Sequence, residues 1–129
     1  MPIRFYNPKN VSAPVNPYSH GAEVAAGSRI LHISGQVGRR GDGGEILADF
    51  ESQVRQIYVN IEEVLKGADM GLENLVKLTT YITDRGNLEA MRDIRKEILG
   101  DHKPAHTLVI AKGLAFEEYL IEVECIAAA

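Results

Sequence analysis

A chain of 129 residues, 45% hydrophobic and 25% charged, is long enough for one domain that buries roughly two thirds of its unfolded surface. Its formal net charge is −4 and its basic residues are scattered, the densest spots being Arg39-Arg40 and the 92–96 segment, which argues against a surface that grips phosphate backbones; nucleic acid is not the expected partner. No apolar run approaches the ~20 residues of a membrane helix, nothing near Met1–Asn7 resembles a secretory h-region, and the lone Cys125 has no internal disulfide partner, so a cytoplasmic protein with no membrane contact is expected.

Residues 1–20 carry turn signals at Asn7-Pro8, Ala13-Pro14 and Asn16-Pro17 and read as an extended arm that ends at Tyr18-Ser19-His20-Gly21. Two short strands are predicted near Glu23–Ala26 and Ile30–Gly35. The glycines of Gly38–Gly44 lack the Gly-Lys-Ser/Thr ending of a phosphate-binding loop and read as a hairpin-like loop. Phe50, Val54, Ile57, Ile61, Val64, Leu65 and Ala68 recur at helical spacing behind Asp49, a suitable N-cap, with Gly71 near the expected end. A central strand is predicted over Leu75–Thr83 and a second helix over Leu88–Leu99, one face of which is marked by Leu88, Met91, Ile94, Arg95 and Ile98. The last strands are Thr107–Ile110 and Tyr119–Ile126. This ββαβαββ order predicts an α+β domain with both helices on one face of a sheet.

Alternation within the strands assigns the two sheet faces. Leu31, Ile33, Val76, Leu78, Thr80, Ile82, Tyr119, Ile121, Val123 and Cys125 form the helix-facing set. His32, Ser34, Lys77, Thr79, Tyr81, Glu122 and Glu124 line the other face, which is either solvated or a subunit interface with clefts. Three chemical readings have little support. His102 and His106 are separated by Pro104 and have no third ligand at a zinc spacing; Cys125 belongs to the core set; and no Gly-x-Ser-x-Gly elbow occurs. His106 is the informative residue. Pro104 forbids a continuing helix, so a titratable side chain stands where the chain turns into Leu108-Val109-Ile110.

Asn16-Pro17-Tyr18-Ser19-His20, Ser34-Gly35-Gln36, Ala48-Asp49 with Gln53 and Arg55-Gln56, Val76–Tyr81, His102–Thr107 and Glu122-Val123-Glu124 are individually weak motifs. Together, in this order from about Asn16 to Ala127, they resemble the Rid family, also called YjgF/YER057c/UK114 or L-PSP endoribonuclease-like. The resemblance implies a chorismate-mutase-like α+β fold over the single domain 1–129, a homotrimer with clefts between subunits, a small-molecule substrate and no cofactor or metal. It implies hydrolysis of reactive imines or enamines, such as 2-aminoacrylate, to a 2-keto acid and ammonia. A glutamate at Glu122 would place water, a tyrosine at Tyr18 would close the pocket, and the Ser34-Gly35 backbone would bind a substrate oxygen.

One departure bears on this reading. Deaminating members read Pro-Ala-Arg-Ser, the arginine clamping the substrate carboxylate; this chain reads Pro104-Ala105-His106-Thr107. Imidazole cannot imitate a charged planar fork, and losing such a contact costs about 2–4 kcal/mol of binding. The expectation is therefore a Rid-like hydrolase in which His106 and Glu122 handle protons and water, with Arg92, Arg39 or Arg40 as replacement cations. Its alternatives are a trimer that binds a small metabolite without turnover and, third, a ribonuclease, which the acidic charge balance opposes.

Overall fold

A computed structural model describes residues 2–129. Helix α1 (Phe50–Gly67) begins where the carboxylate of Asp49 accepts the Ser52 N–H at 2.9 Å. Val54, Ile57, Ile61 and Leu65 recur on its buried face. It stops short of Gly71, because Asp69 adopts a left-handed backbone (φ 56°) and turns the chain earlier. Helix α2 (Leu88–Leu99) buries Met91, Ile94 and Leu99, and also Arg95, before Gly100 (φ 58°) ends it. Among the described residues, no helix is long and apolar enough to cross a membrane.

Four strands, β3 (Ile30–Val37), β4 (Leu75–Ile82), β5 (Ala105–Ile110) and β6 (Ile121–Ala128), form one sheet in the order β3-β6-β4-β5. β4 and β5 run parallel, joined through α2, and the other pairs are antiparallel. Ile33, Leu78, Ile82, Ile121, Val123, Cys125 and Ala127 meet both helices in one core. Burial pushes the Cys125 thiol up to about 12, consistent with a core residue rather than a nucleophile.

Four expectations need correction. The arm is not merely extended: Ile3–Tyr6 forms β1, which pairs antiparallel with β2 (Gly21–Val24), so an additional strand precedes the predicted ones. Its signal, Ile-Arg-Phe-Tyr, is short and followed at once by the proline-rich segment. Val76 does not face the helices. Leu75 pairs with Ala127 and Lys77 with Ile126, leaving Val76 as a bulge that packs instead with Ile3 and Ala128. β5 begins at Ala105 rather than Thr107, which makes His106 a strand residue. Finally, β6 starts at Ile121, with Tyr119 buried just ahead of it.

Gln53 is the one fully buried polar side chain of α1. Its amide donates to the Leu47 carbonyl (2.7 Å) and the Glu118 carbonyl (2.9 Å) and accepts the Leu120 N–H (2.9 Å). It thereby ties two loops to the helix at the point where β6 begins.

Candidate functional site

The parallel register of β4 and β5 decides where His106 points. His106 lies beside Leu78, which faces the helices, so the imidazole also turns towards α2 and away from the open sheet face. The arm arrives at the same place. Ser19 bridges to Ala105, its hydroxyl donates to the Lys103 carbonyl at 2.6 Å, and its N–H donates to the Pro104 carbonyl at 3.3 Å. Tyr18 is thus carried to the edge of β5. The result is a pocket of about 270 Å³ in which Asn16, Tyr18, Arg92, Arg95 and His106 converge between apolar walls of Val15, Met91 and Leu108. A larger hollow of about 440 Å³ crosses the opposite sheet face beside His32, Ser34, Lys77, Thr79 and Glu124 and shares no residue with it.

His106 sits in a closed hydrogen-bond arrangement. Arg95 Nη1 lies 2.7 Å from Nδ1 and 2.9 Å from Nε2, and Thr80 Oγ1 lies 2.9 Å from Nε2. A neutral ring with Nδ1 accepting from Arg95 and Nε2–H donating to Thr80 satisfies these groups, a tautomer assigned from the network. Burial first, then the charges of Arg95, Lys77 and Arg92, push the imidazole down to about 3. His106 should therefore show no protonation step in imidazole NMR between about pH 5 and pH 8. The unfolded chain binds this proton near the ordinary 6.5 and the folded chain only near 3, so the stability contributed by the neutral ring is complete above 6.5 and is lost as pH falls towards 3. A His106→Gln variant should lack that component of acid sensitivity in denaturation profiles taken across the window. An equally steep profile in the variant would assign the slope to other groups.

The remaining predicted site residues lie elsewhere in the chain. Ser34 and Gly35 together oppose Glu124, because Ile33 pairs with Cys125 and Gln36 with Val123; the bulge releases their backbone from regular pairing. A Cβ on Gly35 would collide with the Glu122 carboxylate, so these two residues pack directly together on the open face. Burial and the neighbouring Glu124 raise the Glu122 pKa. Glu124 accepts the Tyr81 hydroxyl at 2.5 Å, and Lys77 donates to Thr107 Oγ1 at 2.6 Å.

The sequence pairing of His106 with Glu122 is not formed within one chain, since the two side chains leave opposite faces of the sheet. Among the sequence-predicted residues, Tyr18, Arg92 and His106 meet in the pocket, whereas Ser34, Gly35 and Glu122 make a separate patch. Arg39 and Arg40 line a groove beside Gly35 and Gln36; Arg39 stacks on Phe116 (5.4 Å) and Arg40 pairs with Asp42 (3.3 Å). Neither reaches His106. Arg95 does, and sequence reasoning assigned it only to the packed face of α2. A cation standing in an otherwise apolar stripe was the signal available.

The fold and the pocket define a small α+β domain of chorismate-mutase-like topology, with a polar cleft where β5 and the N-terminal arm meet α2. The profile of the Endoribonuclease L-PSP family matches residues 9–129, and the chain belongs to this family, the Rid/YjgF/UK114 group. A RutC family protein of Aquifex aeolicus is 36% identical over 116 residues, spanning 88% of this chain and 90% of that one. The solved structure of YyfB from Yersinia pestis, described as a protein of unknown function of the conserved Rid protein family, superposes with a TM-score of 0.89 at 32% identity over 100% of both chains. A protein of Escherichia coli named as the putative reactive intermediate deaminase TdcF is 25% identical, spanning 88% of this chain and 87% of its own.

Proposed function

We propose that this chain is a cytoplasmic Rid-like hydrolase of small reactive imines, enamines or related C–N substrates, acting in a cleft between protomers of a homotrimer. The observation that carries the proposal is the convergence of Tyr18, Arg92 and His106 on one pocket. The name borne by the TdcF relative supports the reaction class. The separate Ser34–Gly35–Glu122 patch supports an intersubunit site: half-sites on opposite faces of one sheet can combine only if a second copy brings its patch to the first copy's pocket.

In such a cleft water adds to the imine carbon, the C–N bond breaks, and ammonia leaves a carbonyl product. Glu122, with its raised pKa, is suited to accept the proton from water. His106, neutral and already bonded to Arg95 and Thr80, would orient neighbouring groups rather than carry protons at neutral pH. Tyr18 would close the pocket, and the Ser34–Gly35 backbone would hold a substrate oxygen.

The test is ammonia release from 2-aminoacrylate generated enzymatically in the assay. The expected result is release faster than the spontaneous rate, reduced about 100-fold in Glu122→Gln; no acceleration by the native protein removes the reading. A second reading, metabolite binding without turnover, draws on the low pKa of His106, which leaves the pocket without a proton carrier near neutrality. That reading predicts thermal stabilisation by 2-keto acids in the absence of any ammonia release.

A further inference from the structure

We propose that Arg95, assisted by Arg92, is an anion clamp built into α2, and that it takes the carboxylate of a small metabolite in the pocket beside His106. The inference shares the pocket with the proposed hydrolase but does not depend on turnover.

Arg95 is a charge with no counter-charge from its own chain. Arg95 is only 2% exposed. Among the described residues, the ion pairs engage Arg40, Arg55 and Lys66 but not Arg95. Among the described residues no carboxylate of the same chain lines the pocket, and Arg92 adds a second positive charge one helical turn away. Holding an unpaired ion out of water is costly, and a bound anion would offset that cost.

The hydrogen-bond pattern leaves room for that group. The bonds of the guanidinium come from Nη1, which donates to His106 Nδ1 and, at 3.9 Å, approaches Met91 Sδ. Nε and Nη2 have no acceptor among the described residues. Yet no fully buried side-chain nitrogen or oxygen is orphaned among the described residues, so these atoms border the open pocket and not the closed core. Nε and Nη2 are the edge of a guanidinium that grips a carboxylate with two parallel bonds. His106 serves this geometry by accepting from Nη1 as a neutral ring, which fixes the fork without adding charge. The pocket, at about 270 Å³, lies below the usual range of drug-sized sites, so its ligand is a small acid of a few carbons.

Isothermal titration calorimetry with 2-oxobutanoate, its uncharged amide and inorganic phosphate tests the clamp. The acid is expected to bind, with affinity falling as salt rises, and the amide to bind at least 30-fold more weakly. Arg95→Met should weaken the acid at least 30-fold and Arg92→Gln a few-fold. If Arg95→Met fails to fold by circular dichroism, Arg95→Lys retains the charge without the fork and should still lose about tenfold. Unchanged binding in a folded Arg95 variant, equal affinity for acid and amide, or tighter binding of phosphate than of the acid overturns the proposal. Carboxylate binding without ammonia release would remove the hydrolase and keep the clamp. Ammonia release without carboxylate binding would do the reverse.

Discussion

Gln53→Ala is expected to lower the thermal unfolding midpoint by roughly 10 °C or more, among the largest effects of any single polar substitution in this chain. The side chain is fully buried and satisfies two carbonyls and one N–H from separate loops. Truncation leaves all three without their partner, at about 1–3 kcal/mol for each group that water does not reach, and opens a cavity against α1. Gln53→Glu should be at least as damaging although its shape is nearly the same. It replaces an amide that donates to two carbonyls with a carboxylate that would face both of them. The effect should extend to the site. The loops that Gln53 ties down lead into β6 and towards Arg39 and Arg40, so Glu122 loses its firm placement. Scanning calorimetry of the two variants measures this directly. A shift of only a degree or two in either would mean that the loops are held by other contacts.

His106→Arg is expected to destabilise the protein by about 3–5 kcal/mol, even though it restores the family's Pro-Ala-Arg sequence. The position is already occupied electrostatically: Arg95 Nη1 stands 2.7 Å from the imidazole, and a second guanidinium there would face the first with no carboxylate of the same chain between them. Removing the first charge should relieve the second. The double variant His106→Arg with Arg95→Met should be more stable than the sum of the single effects predicts, by a coupling of about 2–3 kcal/mol. Urea denaturation of the four proteins in this cycle provides the number. Additive effects would show that the two positions do not share one electrostatic environment, and the account of His106 as a neutral acceptor for Arg95 would fail with it.

Periodicity carried most of the architecture. The 3.6-residue recurrence of Val54, Ile57, Ile61 and Leu65, and the two-residue alternation of Ile121, Val123 and Cys125, are burial patterns that any sheet-and-helix packing must respect. Residues that break the period were illegible. The bulge that turns Val76 to the other side leaves no mark in Leu75-Val76-Lys77, and the pairing of β1 with β2 is a contact between distant segments across a proline-rich span.

The site was legible by residue type and not by direction. Tyr18 was identifiable as a match to the family pattern, His106 as a departure from it and Arg92 as a candidate replacement cation, and the three do converge. The separation of Glu122 from His106 follows from strand register, which alternation fixes within a strand but not between strands. Arg95 was concealed by its own burial. Periodicity counts a residue on the packed face as core, and only the fold reveals that this cation's outer edge is uncommitted.

A crystal structure of the protein soaked with 2-oxobutanoate tests the central claim, that the pocket between α2, β5 and the N-terminal arm is the functional site. The account predicts the ligand carboxylate on Nε and Nη2 of Arg95, with Arg92 beside it, Tyr18 over the carbon chain, and His106 still bonded to Arg95 and Thr80. A ligand bound instead in the hollow beside His32, Lys77 and Glu124, with the Arg95 pocket filled only by water, would contradict it.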